Sequence, residues 1–309
     1  MSKSAGVKFS PRWLCLILWL PLPFTVGSLF SDVFNDWDST TVTVLSVVLW
    51  FGWGATLIAL LTTTAQSLTA LRIITPSVPL LAAWAALAAD STPSFTLSLA
   101  LANATLAAAV AFLPAVGMEF INGSSYGDEK RFPLRAPGPV LFGIIEMVWV
   151  VMFISTTTAV MFLAQQNWLA GIPIAAFAVA ADFVGARSCY QLTQRWLVVV
   201  PAGIVLVDPI VIIDALLVQK KNLADIAYSP APENPKENKA DANVLDLTAA
   251  AVGPYLTVFL REQDVVVPAP KSRKRGQLLE PVDVQVFRCT PVRSGWFLDE
   301  VKARGFLQT

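Results

Sequence analysis

The chain has 309 residues, 55% of them hydrophobic and 14% charged, with a mean hydropathy of +0.60 and a formal net charge of zero. Soluble domains carry about 25% charged residues, so much of this chain is expected to face lipid, and the balanced charge gives no sign of a nucleic-acid partner. Histidine is absent, which excludes His-ligated metal or haem and Ser-His-Asp chemistry within the chain. The three cysteines, Cys15, Cys189 and Cys289, have no CxxC spacing; neither a disulfide framework nor a metal or cofactor is expected.

The N-terminus is short and basic, with Lys3, Lys8 and Arg12. The apolar run that follows lacks a small-x-small cleavage site and contains Pro21 and Pro23, so it predicts a membrane span rather than a signal peptide. A spanning helix needs roughly 20 mostly apolar residues. That length predicts six spans, at 13–30, 41–63, 70–89, 95–117, 139–163 and 168–186. The connections at 31–40, 90–94 and 164–168 contain no Lys or Arg, whereas the N-terminus, Arg72 and the 118–138 connection (Lys130, Arg131, Arg135) carry cations. The positive-inside rule then places both termini in the cytoplasm of a bacterial plasma-membrane protein.

Three of the polar side chains inside the predicted spans are singled out. Glu146 lies about two turns into the fifth, and an intramembrane carboxylate is a candidate ion- or proton-handling group. The simpler expectation is a shallow Glu146 paired with Arg72, Arg135 or a backbone group. Asp182 is expected near the cytoplasmic end of the last span, paired with Arg187 or Arg195. Asn103 is expected to bond a neighbouring helix. The 118–138 connection, with Gly123, Ser124, Ser125 and Gly127, reads as a solvated loop. Its other use would be as a docking surface through Phe120, Tyr126 and Phe132.

After residue 187 the pattern changes to short β-branched runs bounded by Gly, Pro and Asp. These predict strands at 196–200, 203–207, 210–213, 244–247, 255–260, 265–267 and 282–287, with a turn at 201–203. Thr290 and Pro291 suit the start of a final helix, and Gly305 its end. The segment 229–243 (SPAPENPKENKADAN) is expected to be a disordered insertion. Lys271, Arg273, Lys274 and Arg275 form the densest basic cluster. Near an anionic leaflet each cation is worth about 1 kcal/mol, so this cluster is a candidate lipid-headgroup or partner-binding site.

The stretch YQLTQRWLVVVPAGIVLVD, followed by further strands and a closing helix, resembles the bacterial pleckstrin-homology-like (PH-like) domains. The chain also resembles uncharacterised multi-pass membrane proteins of actinobacteria, through Gly123-Ser-Ser-Tyr126-Gly127, Arg131-Phe-Pro-Leu-Arg135 and Trp196–Gly203. The expected fold is therefore a membrane α-helical bundle of about six transmembrane helices, residues 1–186, plus a small cytoplasmic PH-like β domain of about seven strands and a C-terminal helix, residues 187–309. The expected function is non-enzymatic. The cytoplasmic domain would contact membrane lipids or other membrane-protein subunits, as in an accessory subunit of a cell-envelope or respiratory complex. The alternative is a small-solute or ion transporter using Glu146. A lipid-acting enzyme built on Asp90, Asp128, Glu129 and Asp182 would lack a DxxD cluster or a Gly-rich phosphate cradle.

Overall fold

A computed structural model describes residues 10–88, 94–230, 244–269 and 280–307. The chain divides into two compact units, 1–123 with 147–189 and 124–146 with 190–309. The division is thus not the sequential one expected, 1–186 followed by 187–309: the segment 124–146, within the predicted membrane half, clusters with the β strands.

The first unit is helical. Its elements are α1 (Pro11–Trp19), α2 (Leu22–Phe34), α3 (Ser39–Leu61), α4 (Ala65–Ile74), α5 (Ser77–Ala88), α6 (Ser94–Ala111), α7 (Pro114–Asn122), α8 (Ile145–Ala164) and α9 (Trp168–Thr193). Among the described residues five stretches are long and apolar enough to cross a membrane: Pro11–Phe34, Ser39–Leu61, Ala65–Ala88, Val140–Ala164 and Trp168–Thr193. A sixth exists if α6 and α7, bent by 55° at Phe112–Leu113, count as one span. The predicted span 95–117 is therefore a broken one, because Pro114 cannot donate the N–H that would carry α6 onward. Within Val140–Ala164 only 11% of the most apolar window is buried. A helix apolar on every side and so little buried has lipid as its solvent.

Among the described residues the second unit holds eight strands in two sheets: seven within residues 187–309, the number expected there, and one more from the segment 124–146. The first sheet runs β1 (Lys130–Pro133), β2 (Trp196–Val200), β3 (Gly203–Val207), β4 (Leu216–Gln219) in that order, all antiparallel. The second contains β5 (Leu223–Ser229), β6 (Val244–Asp246), β7 (Tyr255–Val266) and β8 (Val282–Cys289), ordered β5-β7-β8-β6, with β6 parallel to β8. A helix, α10 (Ser294–Ala303), closes the unit. Phe132, Leu197, Leu206, Val218, Phe287 and Phe297 fill its core. The Phe132 and Phe297 rings meet edge-to-face at 5.4 Å, fastening β1 to α10.

Several strand expectations need correction. The run 210–213 is a turn, not a strand. Asp208 and Pro209 precede it, and the Asp208 carbonyl accepts the N–H groups of Val211 and Ile212 at 3.1 and 3.0 Å. The run 255–260 and Val265–Val266 of the run 265–267 belong to the single strand β7, which has an irregular register between Phe259 and Asp264. The 118–138 connection is not wholly a loop, since β1 lies in it and pairs Lys130 with Val199 through Pro133 with Trp196. The final helix begins at Ser294, three residues after the expected Pro291. The turn at Pro201–Ala202 is as expected. Gly203 is required there because a Cβ would collide with the Val218 carbonyl oxygen of β4.

Candidate functional site

The polar residues singled out in the spans do not converge. Glu146 Oε2 accepts the Gly143 N–H at 2.8 Å, closing a kink where Gly143 has φ +130° and Phe142 is non-helical. Its partner is the backbone group foreseen as the simpler option. Asn103 Nδ2 donates to Thr25 Oγ1 at 3.2 Å, joining α6 to α2 as expected. Asp182 departs from expectation. The helix α9 runs on to Thr193, so Asp182 sits eleven residues, about 16 Å, short of its end. It accepts from Thr156 Oγ1 of α8 at 2.8 Å, while Arg195 pairs with Asp208 instead. The basic cluster Lys271, Arg273, Lys274 and Arg275 lies outside the described residues, as do residues 231–243 of the expected insertion.

A different surface emerges from the first sheet. In an antiparallel sheet with one solvated face, apolar and polar residues alternate. Here β2 (WLVVV) and β3 (GIVLV) are apolar at every position. Leu197, Val199, Ile204 and Leu206 point to the core. The register then stacks the other face in two rows: Pro133, Trp196 and Val207; and Arg131, Val198, Val205 and Leu217. Leu217 is 43% exposed, and Ile210 and Ile213 in the next turn are 39% and 48% exposed.

Arg131 is the polar member of this face. Its guanidinium stacks over the Trp196 ring at 5.3 Å and pairs with Glu129 at 2.6 Å. Glu129 in turn accepts the Tyr126 N–H at 2.8 Å, ordering the turn before β1. At the rim, Trp196, Val207, Pro209, Ile213, Asp214 and Gln194 line an open cleft of about 200 Å³. Small-molecule and cofactor sites need about 300–1,000 Å³, so the cleft suits a single side chain or acyl segment rather than a cofactor. Among the described residues no three Cys, Asp or Glu side chains gather in a way that would hold a metal ion.

The rim stands on a buried ion pair. Arg195 Nε and Nη2 donate to the two oxygens of Asp208 at 2.8 and 2.6 Å. Arg195 Nη1 donates to the Arg135 carbonyl at 2.7 Å. Asp208 Oδ1 also accepts the Ile210 N–H at 3.1 Å. The pair thus ties the entry to β2, the exit from β3 and the chain after β1 into one junction. A bidentate guanidinium–carboxylate contact adds geometry as well as energy. Cys289 is buried near this pair, and burial followed by the Asp208 charge pushes its thiol up to about 12, leaving it inert. At the other end of β1, Lys130 donates to Glu300 at 2.5 Å and Arg304 Nε to the same carboxylate at 2.8 Å. Desolvation raises the Glu300 carboxyl, but these two cations outweigh it and hold it below its ordinary range.

The sequence reading missed this face, although its signal was the absent alternation in β2 and β3. Comparison with family models, curated proteins and solved structures gives no match to the chain.

Proposed function

We propose that the chain is a non-enzymatic integral membrane protein whose β unit is a PH-like module on the cytoplasmic side, applied to the anionic headgroup layer by the outer face of its first sheet. The observation that carries this is the apolar face itself, with Trp196 under the Arg131 cation, Leu217 exposed on the same face and Ile213 lining the cleft beside Trp196. Aromatic, aliphatic and basic side chains together are the chemistry of an interfacial anchor. Burying half of an Ile or Leu side chain is worth roughly 0.8–1.5 kcal/mol, so three such residues and Trp196 suffice for a tethered contact.

Chain length supports the same occupant. Two residues separate Thr193, the end of a spanning helix, from Trp196, and six separate Pro133 from Val140. Six extended residues reach at most about 20 Å. Pro133 and Trp196 are register partners, so both tethers leave from the same end of the β1–β2 ribbon. That pairing also requires an even number of crossings between the two strands, which α8 and α9 supply. The cations of residues 3–12 and 130–135 favour the cytoplasmic side for this ribbon and for both termini.

The test places an environment-sensitive fluorophore on Ile213→Cys, with Cys15, Cys189 and Cys289 replaced by Ala, in the full chain in phosphatidylglycerol-containing nanodiscs. Headgroup-level spin-labelled lipid is expected to quench it strongly, and Arg131→Glu is expected to weaken that quenching. An unquenched, water-exposed probe, or one shielded by a co-purifying protein, would refute headgroup contact.

A further inference from the structure

The cleft beside Trp196 is lined by polar side chains that the rest of the β unit leaves unused. Gln194, Trp196, Asp208 and Asp214 line it together with apolar walls from Pro209 and Ile213. Asp208 is engaged by Arg195, and its side chain is fully buried. Asp214 is exposed. Among the described residues its carboxylate has no hydrogen-bond or ion-pair partner, and neither has the Gln194 side-chain amide. No Lys or Arg lines the cleft, and Arg131, the cation of the sheet face, is paired with Glu129 at 2.6 Å. Asp214 thus carries a negative charge that nothing in the cleft compensates.

That charge conflicts with an anionic leaflet. The field that attracts a cation to such a surface repels a carboxylate. A ligand that brings its own cation to the cleft removes the conflict. The free groups are acceptors, a carboxylate and an amide oxygen, and they suit a primary ammonium, which donates three hydrogen bonds and accepts none. The Trp196 ring adds a wall of the kind that attracts cations, as its stacking with Arg131 illustrates. A phosphate would be repelled by Asp214. A metal ion would find no cluster of ligands there among the described residues. The cleft holds about 200 Å³, room for the end of a headgroup rather than for a larger ligand. Gln194 follows directly on α9, a helix long and apolar enough to cross the membrane, so chain connectivity keeps the cleft near the headgroup layer.

We infer that this cleft binds the primary ammonium of a zwitterionic phospholipid headgroup, that of a phosphatidylethanolamine, an inference that rests on the headgroup contact assigned to the sheet face. Asp214 pairs with the ammonium, Gln194 Oε1 accepts one of its N–H groups, and the ethylene stem lies against Trp196 and Pro209. The ammonium neutralises Asp214, so the apolar face meets the leaflet without an unpaired carboxylate at its rim.

Thermal unfolding of the full chain in non-ionic detergent tests the cleft, because a ligand that binds the folded state raises Tm in a saturable way. Unfolding is read at the Cys289 thiol, which is fully buried in the folded β unit, with Cys15 and Cys189 replaced by Ala. Separate arms add short-chain phosphatidylethanolamine, its N-acetyl derivative, short-chain phosphatidylglycerol and free ethanolamine. Phosphatidylethanolamine alone is expected to give a saturable rise. Asp214→Asn, an exposed and isosteric change, is expected to weaken half-saturation roughly tenfold through loss of one charge-assisted hydrogen bond, and Gln194→Leu by a smaller factor. An equal rise with the N-acetyl derivative or with phosphatidylglycerol, saturation by free ethanolamine at the same concentration, a response unchanged in Asp214→Asn, or no response of wild type would overturn the inference. Its failure and that of the sheet contact are distinguishable. A quenched Ile213 probe without a phosphatidylethanolamine response keeps the contact and removes the ammonium site, whereas an Asp214-dependent response with an unquenched probe does the reverse.

Discussion

Asp208→Ala is expected to cost the β unit about 3–5 kcal/mol, the range for breaking a buried ion pair by removing one partner. Both side chains are at most 1% exposed. Without the carboxylate the Arg195 guanidinium keeps only the Arg135 carbonyl, at 2.7 Å, and a buried cation remains uncompensated. Against a domain stability of about 5–15 kcal/mol, that loss is a large fraction. Urea titration of the full chain in detergent, read by the exposure of the Cys289 thiol with Cys15 and Cys189 replaced by Ala, isolates this unit, because Cys289 is fully buried when it is folded. The double variant Arg195→Met with Asp208→Leu removes both charges and is expected to cost well under the sum of the single losses. Additive single losses would show that the two groups do not act as a pair.

Phe132→Ala is expected to cost about 3–5 kcal/mol by the same readout, the range for an aromatic cavity in a core. Phe132 is 1% exposed and meets Phe297 edge-to-face, a contact worth about 0.5–1.5 kcal/mol beyond area burial. The substitution lies sixty-four residues before Trp196, between two membrane spans. In a solvated loop it would change stability by less than about 0.5 kcal/mol. A small effect would therefore show that β1 is not part of the β unit.

How legible the fold was depends on how local its causes are. The span at 41–63 could be read from length and hydropathy alone, and α3 occupies Ser39–Leu61. The break between α6 and α7 is visible only as Pro114, because a proline within an apolar run marks either a kink or an end. The end of α9 was placed too early because Arg187, Ser188 and Gln191 read as leaving the bilayer, whereas a helix continues beyond lipid wherever its own hydrogen bonds are kept. Asp182 lies eleven residues inside α9, and its partner is Thr156 of α8, not Arg187 or Arg195. The strand β1 was hidden because KRFP has weak strand character and its pairing partner in β2 lies far along the chain. Ile210–Ile213 showed the opposite failure: a strong β-branched run was overridden by the turn that Asp208 and Pro209 impose. The strand β4 escaped because LLVQ runs straight into the Lys220–Lys221 turn.

The surface was legible in part. A sheet that is apolar at successive positions must cover both faces, and WLVVV and GIVLV state that in the sequence. Which residues join them needed the register: Arg131 and Leu217 reach the face only through cross-strand pairing.

The most direct test of the account is the side of the membrane on which β1 and its flanking turn lie. Tyr126, 90% exposed just before β1, is replaced by Cys in the full chain with Cys15, Cys189 and Cys289 changed to Ala, and intact cells are treated with a membrane-impermeant maleimide. The account predicts no labelling until the membrane is permeabilised, and complete labelling afterwards. Labelling from outside in intact cells would contradict it, placing the sheet and its apolar face on the opposite side of the bilayer.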